Sequence, residues 1–147
     1  MADEVRVVIA DDADLVTARA QARAMAERLG FPRPDPTLIA TAISEIARNI
    51  VVHSGGGEIV LEPFEDANRY GLIVIATDKG PGIRDVEAAL RDDYSGRGGL
   101  GLGLPGARRL MDEFDLESDP DGTTVTMKKW RFRDELARLR EERRRRE

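Results

Sequence analysis

Gly98-Gly-Leu-Gly101-Leu-Gly103-Leu-Pro-Gly106 is the stretch on which the choice of fold turns. Alternating glycines ahead of a helix start expose successive backbone N–H groups, and the positive end of the helix dipole adds to their attraction for phosphate. Within it, Gly101-Leu-Gly103-Leu-Pro-Gly106 matches G-x-G-x-x-G, the dinucleotide fingerprint of doubly wound α/β folds. That fingerprint requires a strand immediately before it. Here the preceding Asp92-Asp-Tyr-Ser-Gly-Arg-Gly98 reads as loop. The doubly wound reading is dropped and the phosphate cradle is kept. No G-x-x-x-x-G-K-[ST] occurs, so a P-loop is excluded as well.

The flanks of this stretch supply the rest of the architecture. Lys79 to Leu102 is glycine-rich, polar and without periodicity, a length at which loops in compact domains are usually functional lids. Pro105 suits the first turn of the helix that follows, with Leu104, Ala107, Leu110, Met111 and Phe114 apolar. Beyond it, Phe114–Ser118 and Thr123–Met127 read as a hairpin turning through Pro120-Asp-Gly122. Upstream, Glu58–Phe64 and Gly71–Asp78 read as a second hairpin. Val5–Ala10 is a short β-branched run, and Asp11, Asp12 and Asp14 after it are capping and first-turn acids. Leu15, Ala18, Ala22, Met25 and Leu29 recur at helical spacing up to Gly30. Ile39, Ile43, Ile46 and Ile50 then form the stripe of a second helix that breaks at Ser54-Gly-Gly-Gly57. Helices followed by strand pairs predict a two-layer α/β sandwich, with helices on one face of a mixed, mostly antiparallel sheet.

Composition narrows the functional classes. The 147 residues carry 28 acids against 23 bases, a net charge of -5, with 35% charged and 41% hydrophobic residues. An acidic body argues against a general nucleic-acid binder. Eight arginines against five acids give residues 131–147 a net +3, and this tail reads as a helix whose strong apolar contacts are Leu136 and Leu139. There is no cysteine and a single histidine, His53, which excludes thiol nucleophiles, zinc fingers and multi-histidine metal sites. No apolar run approaches the ~20 residues of a membrane span, and Met1-Ala-Asp-Glu opens unlike a signal peptide, so the expected compartment is the cytoplasm with no membrane partner.

Three groups of residues can carry chemistry. Glu45 and Asn49 lie four apart, one turn on the same flank of the second helix and off the isoleucine stripe. A carboxylate and a carboxamide so placed suit a base and a metal ligand for phosphoryl transfer; taken alone, they read more simply as an ordinary solvated face. Asp78-Lys-Gly80-Pro-Gly82-Ile83 follows the apolar run Leu72–Ala76. A carboxylate at a strand end suits an exocyclic amine such as that of adenine, and the glycines admit close approach of a planar ligand; the same residues also make a plain strand-to-loop turn. The glycine stretch 98–106 is the third. His53 reads as a helix-end residue, and β-propensity alone accounts for Thr123 and Thr124.

The order and spacing of these elements resemble the GHKL ATPase superfamily. An E-x-x-x-N helix is followed by D-x-G-x-G-I after a strand, by G-x-G-x-G before a helix, and by G-T opening a strand. The resemblance covers about residues 5–130, which sets a GHKL ATPase/kinase domain at 1–130 and an Arg-rich helical tail at 131–147. It narrows through Ala42-Ile-Ser-Glu-Ile-Ala-Arg-Asn49 and Gly98–Phe114 to the small switch serine/threonine kinases of bacterial stress-signalling complexes. The resemblance implies the Bergerat fold, ATP and Mg2+ as cofactors, and phosphorylation of serine or threonine on STAS-domain (RsbS/RsbR-like) stressosome proteins. It further implies that the released kinase activates a PP2C-type (RsbU-like) phosphatase in a sigma-factor partner switch.

By the same resemblance Glu45 is the general base and Asn49 the Mg2+ ligand. Asp78 binds the adenine amine beside Gly80 and Gly82, supported by Thr123, while Gly99, Gly101 and Gly103 donate to the phosphates. The lid's Arg97 reaches the γ-phosphate or stays solvated. The nearest alternative is an anti-sigma factor kinase, whose usual E-A-x-T-N-A contrasts with Glu45-Ile-Ala-Arg48-Asn49-Ile50 here, so Arg48 favours the switch kinase. A non-catalytic ATP-sensing adaptor is the other alternative, and it has no need of a base at Glu45.

Overall fold

A pair of helices, not one, separates the first two strands, and this decides their relative direction. In a computed structural model that describes residues 4–83, 86–90 and 103–147, β1 (Val5–Ile9) leads into α1 (Asp12–Leu29), and α2 (Asp35–Ser54) returns the chain to the end of β1 it had left. The next strand, β2 (Gly57–Glu65), therefore runs antiparallel to β1, where a single crossover helix would have made the pair parallel. β3 (Arg69–Asp78) follows by a tight turn. After α3 (Val86–Ala89) and α4 (Gly103–Leu110), β4 (Glu113–Asp119) and β5 (Gly122–Phe132) form the second hairpin, and α5 (Glu135–Arg146) ends the chain. β5 inserts between β3 and β4, giving the order β1-β2-β3-β5-β4. Each adjacent pair is antiparallel, so the expected mixed sheet is corrected to a wholly antiparallel one.

The local signals act where the sequence places them. The Asp11 side chain accepts from the Ala13 and Asp14 amides, and Asp14 accepts in return from Asp11 N–H, a capping box that starts α1. Ile39, Ile43, Ile46 and Ile50 are all buried, as are Ala18, Ala22 and Met25 of α1. They pack on the sheet face formed by Val7, Ile9, Ile59, Leu61, Leu72, Val74, Val125 and Met127. At ~1.5–3 kcal/mol per buried aliphatic side chain this face is the main source of stability.

Two further expectations change. The stretch read as loop from 79 to 102 contains the short helix α3, which buries Ala89 against the core. In the tail helix Leu136 and Leu139 are 62% and 47% exposed, while Ala137 and Glu141 are buried. The register of α5 is set by polar anchors instead. Asn68 Nδ2 donates to Glu141 Oε1 at 3.2 Å, Arg140 donates to Asn68 Oδ1 at 3.0 Å, and Arg133 holds Glu65 at 2.9 Å. All three anchors lie at the β2–β3 turn. At ~3.3 Å per residue, the length of β3 puts about 30 Å between that turn and Asp78.

At the same far end, Asp35 in the first turn of α2 is 1% exposed. Arg131 Nε and Nη2 donate to its two oxygens at 2.6 and 2.8 Å, and this pairing raises the Arg131 pKa above its ordinary value. No helix among the described residues is long and apolar enough to cross a membrane.

Candidate active site

α2 and α4 pack together over the core face of the sheet, and Glu45 lies where they meet. Its position on α2 faces away from the isoleucine stripe, toward the start of α4. Its side chain is 9% exposed, and both carboxylate oxygens are held: Arg48 Nη1 donates to Oε2 at 2.8 Å, and the Gly103 N–H donates to Oε1 at 2.9 Å. Gly103 is the first residue of α4, with φ +67, so the bond it makes uses an amide left free by the helix start. One turn on, Asn49 is half-buried and its carboxamide makes no hydrogen bond to a described residue.

Asp78 ends β3 and pairs in register with Gly57 on one side and Thr123 on the other. Its Oδ1 accepts the Gly80 N–H at 2.9 Å, closing a turn, while Oδ2 makes no bond to a described residue. The glycines after it serve the protein's own packing. A Cβ on Gly80 would lie 2.4 Å from the Ser54 Cβ at the end of α2, and one on Gly82 (φ +83) would lie 2.1 Å from the Asp119 carbonyl oxygen. The 78–83 segment is thus pressed between α2 and the β4–β5 turn, and Asp78 is fixed at its base.

Thr123 is buried, and its hydroxyl shares a 2.8 Å hydrogen bond with the Ser118 hydroxyl. Ser118 also accepts the Ile83 N–H at 2.7 Å. Ser118 tethers the loop after Asp78 to the β4–β5 hairpin, a role with no sequence signal beyond its pairing opposite Thr123. His53 lies in the last turn of α2 and is exposed. Of the phosphate-cradle residues only Gly103 is described; Arg97, Gly99 and Gly101 lie outside the described residues.

The donor set bears on a metal ion. Among the described residues no group of three or more His, Cys, Asp or Glu is gathered that could hold a metal ion. A single uncommitted carboxamide oxygen at Asn49 fits a cation that takes its remaining ligands from water and nucleotide phosphates, the habit of Mg2+.

Residues 8–129 match the family profile of the histidine kinase-like ATPase domain. The serine/threonine-protein kinase RsbT of Bacillus subtilis is 47% identical over 131 residues, covering 88% of this chain and 98% of that protein. The chain belongs to the histidine kinase-like ATPase domain family, in its branch of RsbT-type serine/threonine-protein kinases. It is an ATP-using enzyme of the kinase kind, related also to the proteins of sigma-factor partner switches. The anti-sigma F factor of Clostridium novyi is 34% identical over 110 residues, 65% of this chain and 74% of that one. The RsbU and RsbW domains of Rv1364c from Mycobacterium tuberculosis share the fold with a TM-score of 0.62 at 23% identity. There the match covers 90% of this chain and 32% of that longer one. The helices-on-antiparallel-sheet architecture is that of the GHKL-like ATPases.

Proposed function

We propose that the chain is a Mg-ATP-dependent protein serine/threonine kinase that phosphorylates a STAS-domain stressosome protein in the cytoplasm. When released, it activates a PP2C-type phosphatase that feeds a sigma-factor partner switch. The observation that carries the kinase part is the Glu45 carboxylate, nine-tenths buried at the start of α4 and one turn from Asn49. A nucleotide-sensing adaptor has no use for a carboxylate sequestered there. The 47% identity to a protein named as a serine/threonine-protein kinase supports the same reading.

In this account Asp78 Oδ2 takes the exocyclic amine of the adenine, with Thr123 supporting it and Gly80 and Gly82 holding the loop beside the base. Gly99, Gly101 and Gly103 donate backbone N–H groups to the phosphates, and Arg97 reaches the γ-phosphate. Glu45 accepts the proton of the acceptor hydroxyl as its oxygen bonds to the γ-phosphorus and the bond to the bridging oxygen breaks, leaving ADP. A positioned base of this kind contributes ~10²–10⁴-fold. Asn49 would hold a Mg2+ ion, which when bound would neutralise charge on the transferring group. These roles fall within residues 1–130, and the 131–147 segment is anchored at the opposite end of the sheet.

Glu45→Ala is the test: phosphate transfer to a purified STAS partner is abolished while ATP is still bound. Full activity, or loss of ATP binding, contradicts the role. A second reading, direct capture of a sigma factor, is favoured by the 34% identity to an anti-sigma F factor. Recovery of a sigma factor in a pull-down with the purified chain would replace the phosphatase arm of the proposal.

A further inference from the structure

Glu45 is shared between two donors that differ in what else can claim them. Arg48 sits three residues along the same helix, and its 2.8 Å bond to Oε2 stays with α2 however α4 behaves. The Gly103 N–H, bonded to Oε1 at 2.9 Å, belongs to α4, and it is one of the amides assigned above to the nucleotide phosphates. A carboxylate and a phosphate cannot both occupy that one hydrogen, and two anions at one helix start repel each other. We infer that Arg48 is a positioning residue: it retains Glu45 by Oε2 while a nucleotide phosphate displaces Oε1 from the Gly103 amide. This rests on the phosphate role proposed for Gly103.

The consequence is an ordered use of the base. Without nucleotide, the base is tied to the helix start it shares with the phosphate site. With nucleotide, Oε1 recovers its lone pairs and can accept the hydroxyl proton, and Arg48 keeps the carboxylate from swinging out to water. A lysine at 48 supplies the charge without the planar fork and retains the carboxylate less firmly.

Binding and catalysis read the two halves separately. In calorimetry with ADP, Glu45→Gln binds about tenfold more tightly than the wild type, the factor expected when the phosphate displaces a neutral hydrogen bond in place of a charge-assisted one. In 15N-labelled apo protein, Glu45→Gln shifts the Gly103 amide, and adding ADP to the wild type shifts that same resonance; well-dispersed spectra establish that the variant is folded. In phosphotransfer assays Arg48→Ala lowers kcat at least tenfold with the KM for ATP unchanged, and Arg48→Lys restores part of it. Equal ADP affinity in wild type and Glu45→Gln, or full kcat in Arg48→Ala, overturns the inference and leaves the kinase reading intact. Tighter ADP binding by Glu45→Gln alongside a wild type that transfers no phosphate sinks the kinase reading and upholds the competition at Gly103.

Discussion

Removing Arg131 tests how the two layers are joined at the end of the sheet remote from the site. Arg131→Ala leaves the Asp35 carboxylate, 1% exposed, without the two charge-assisted bonds at 2.6 and 2.8 Å. Breaking a buried pair from one side costs ~3–5 kcal/mol, because the remaining charge is stranded. Two features set the value near the low end, ~3 kcal/mol. The Arg131 side chain is 46% exposed, so water enters once it is gone. Asp35 also lies in the first turn of α2, where the helix dipole favours an anion by ~0.3–1 kcal/mol. For a chain of this size ~3 kcal/mol corresponds to a fall in Tm of about 6–12 °C.

Arg138 is the control. It pairs with Glu135 and Glu142, and the nearer Glu135 holds its pKa well above the ordinary arginine value, yet all three side chains are solvent-exposed on α5. Exposed pairs are worth little, so Arg138→Ala shifts Tm by no more than about 2 °C. Urea and thermal unfolding of both variants, with Asp35→Asn and the Asp35→Asn/Arg131→Ala double variant closing a cycle, measure the coupling. If Arg131→Ala is no more destabilising than Arg138→Ala, burial of Asp35 does not govern the energetics and the reasoning fails.

Other expectations follow from the site and its supports. Asp78→Asn turns the acceptor for an adenine amine into a mixed donor and acceptor; ATP affinity measured by calorimetry falls ~10–100-fold, with little change in Tm. Gly82→Ala drives a Cβ to 2.1 Å from the Asp119 carbonyl at φ +83, so a thermal melt shows lost stability and nucleotide titration shows weakened binding. At the β2–β3 turn, Asp66 accepts the Asn68 and Arg69 amides at 2.8 and 2.7 Å, and these bonds lower its pKa below 3.8. A lowered folded pKa stabilises above the unfolded value and is lost as pH falls through the folded one. Asp66→Ala is therefore slightly less stable than wild type at neutral pH, and urea melts of the two converge in acid below pH 3.8.

What the sequence made legible was local or carried by a spaced motif. Asp11 and Asp14 cap α1 through bonds within four residues, and the isoleucine stripe of α2 follows from helical period alone, so both emerge from short windows. Glu45 and Asn49 share a flank by the same arithmetic. What escaped depends on partners distant along the chain. Asp35 looks like a routine first-turn acid, and only the pairing of β5 beside β3 brings Arg131 to it across 96 positions. Ser118 becomes a tether because register sets it opposite Thr123. Leu136 and Leu139 looked like the apolar contacts of the tail, but Asn68 bonds to Arg140 and Glu141 and turns those leucines outward. β1 and β2 came out antiparallel because two helices, α1 and α2, lie between them.

The central claim is that Glu45 serves phosphate transfer from ATP to a protein serine or threonine. The most direct measurement incubates the chain with γ-32P-labelled ATP, Mg2+ and a purified STAS-domain partner, then treats the product with acid. The account predicts label on the partner that survives acid, as a phosphoester does, and none with Glu45→Ala. No transfer by the wild type, label lost in acid as from a phosphohistidine, or equal transfer by Glu45→Ala would contradict it.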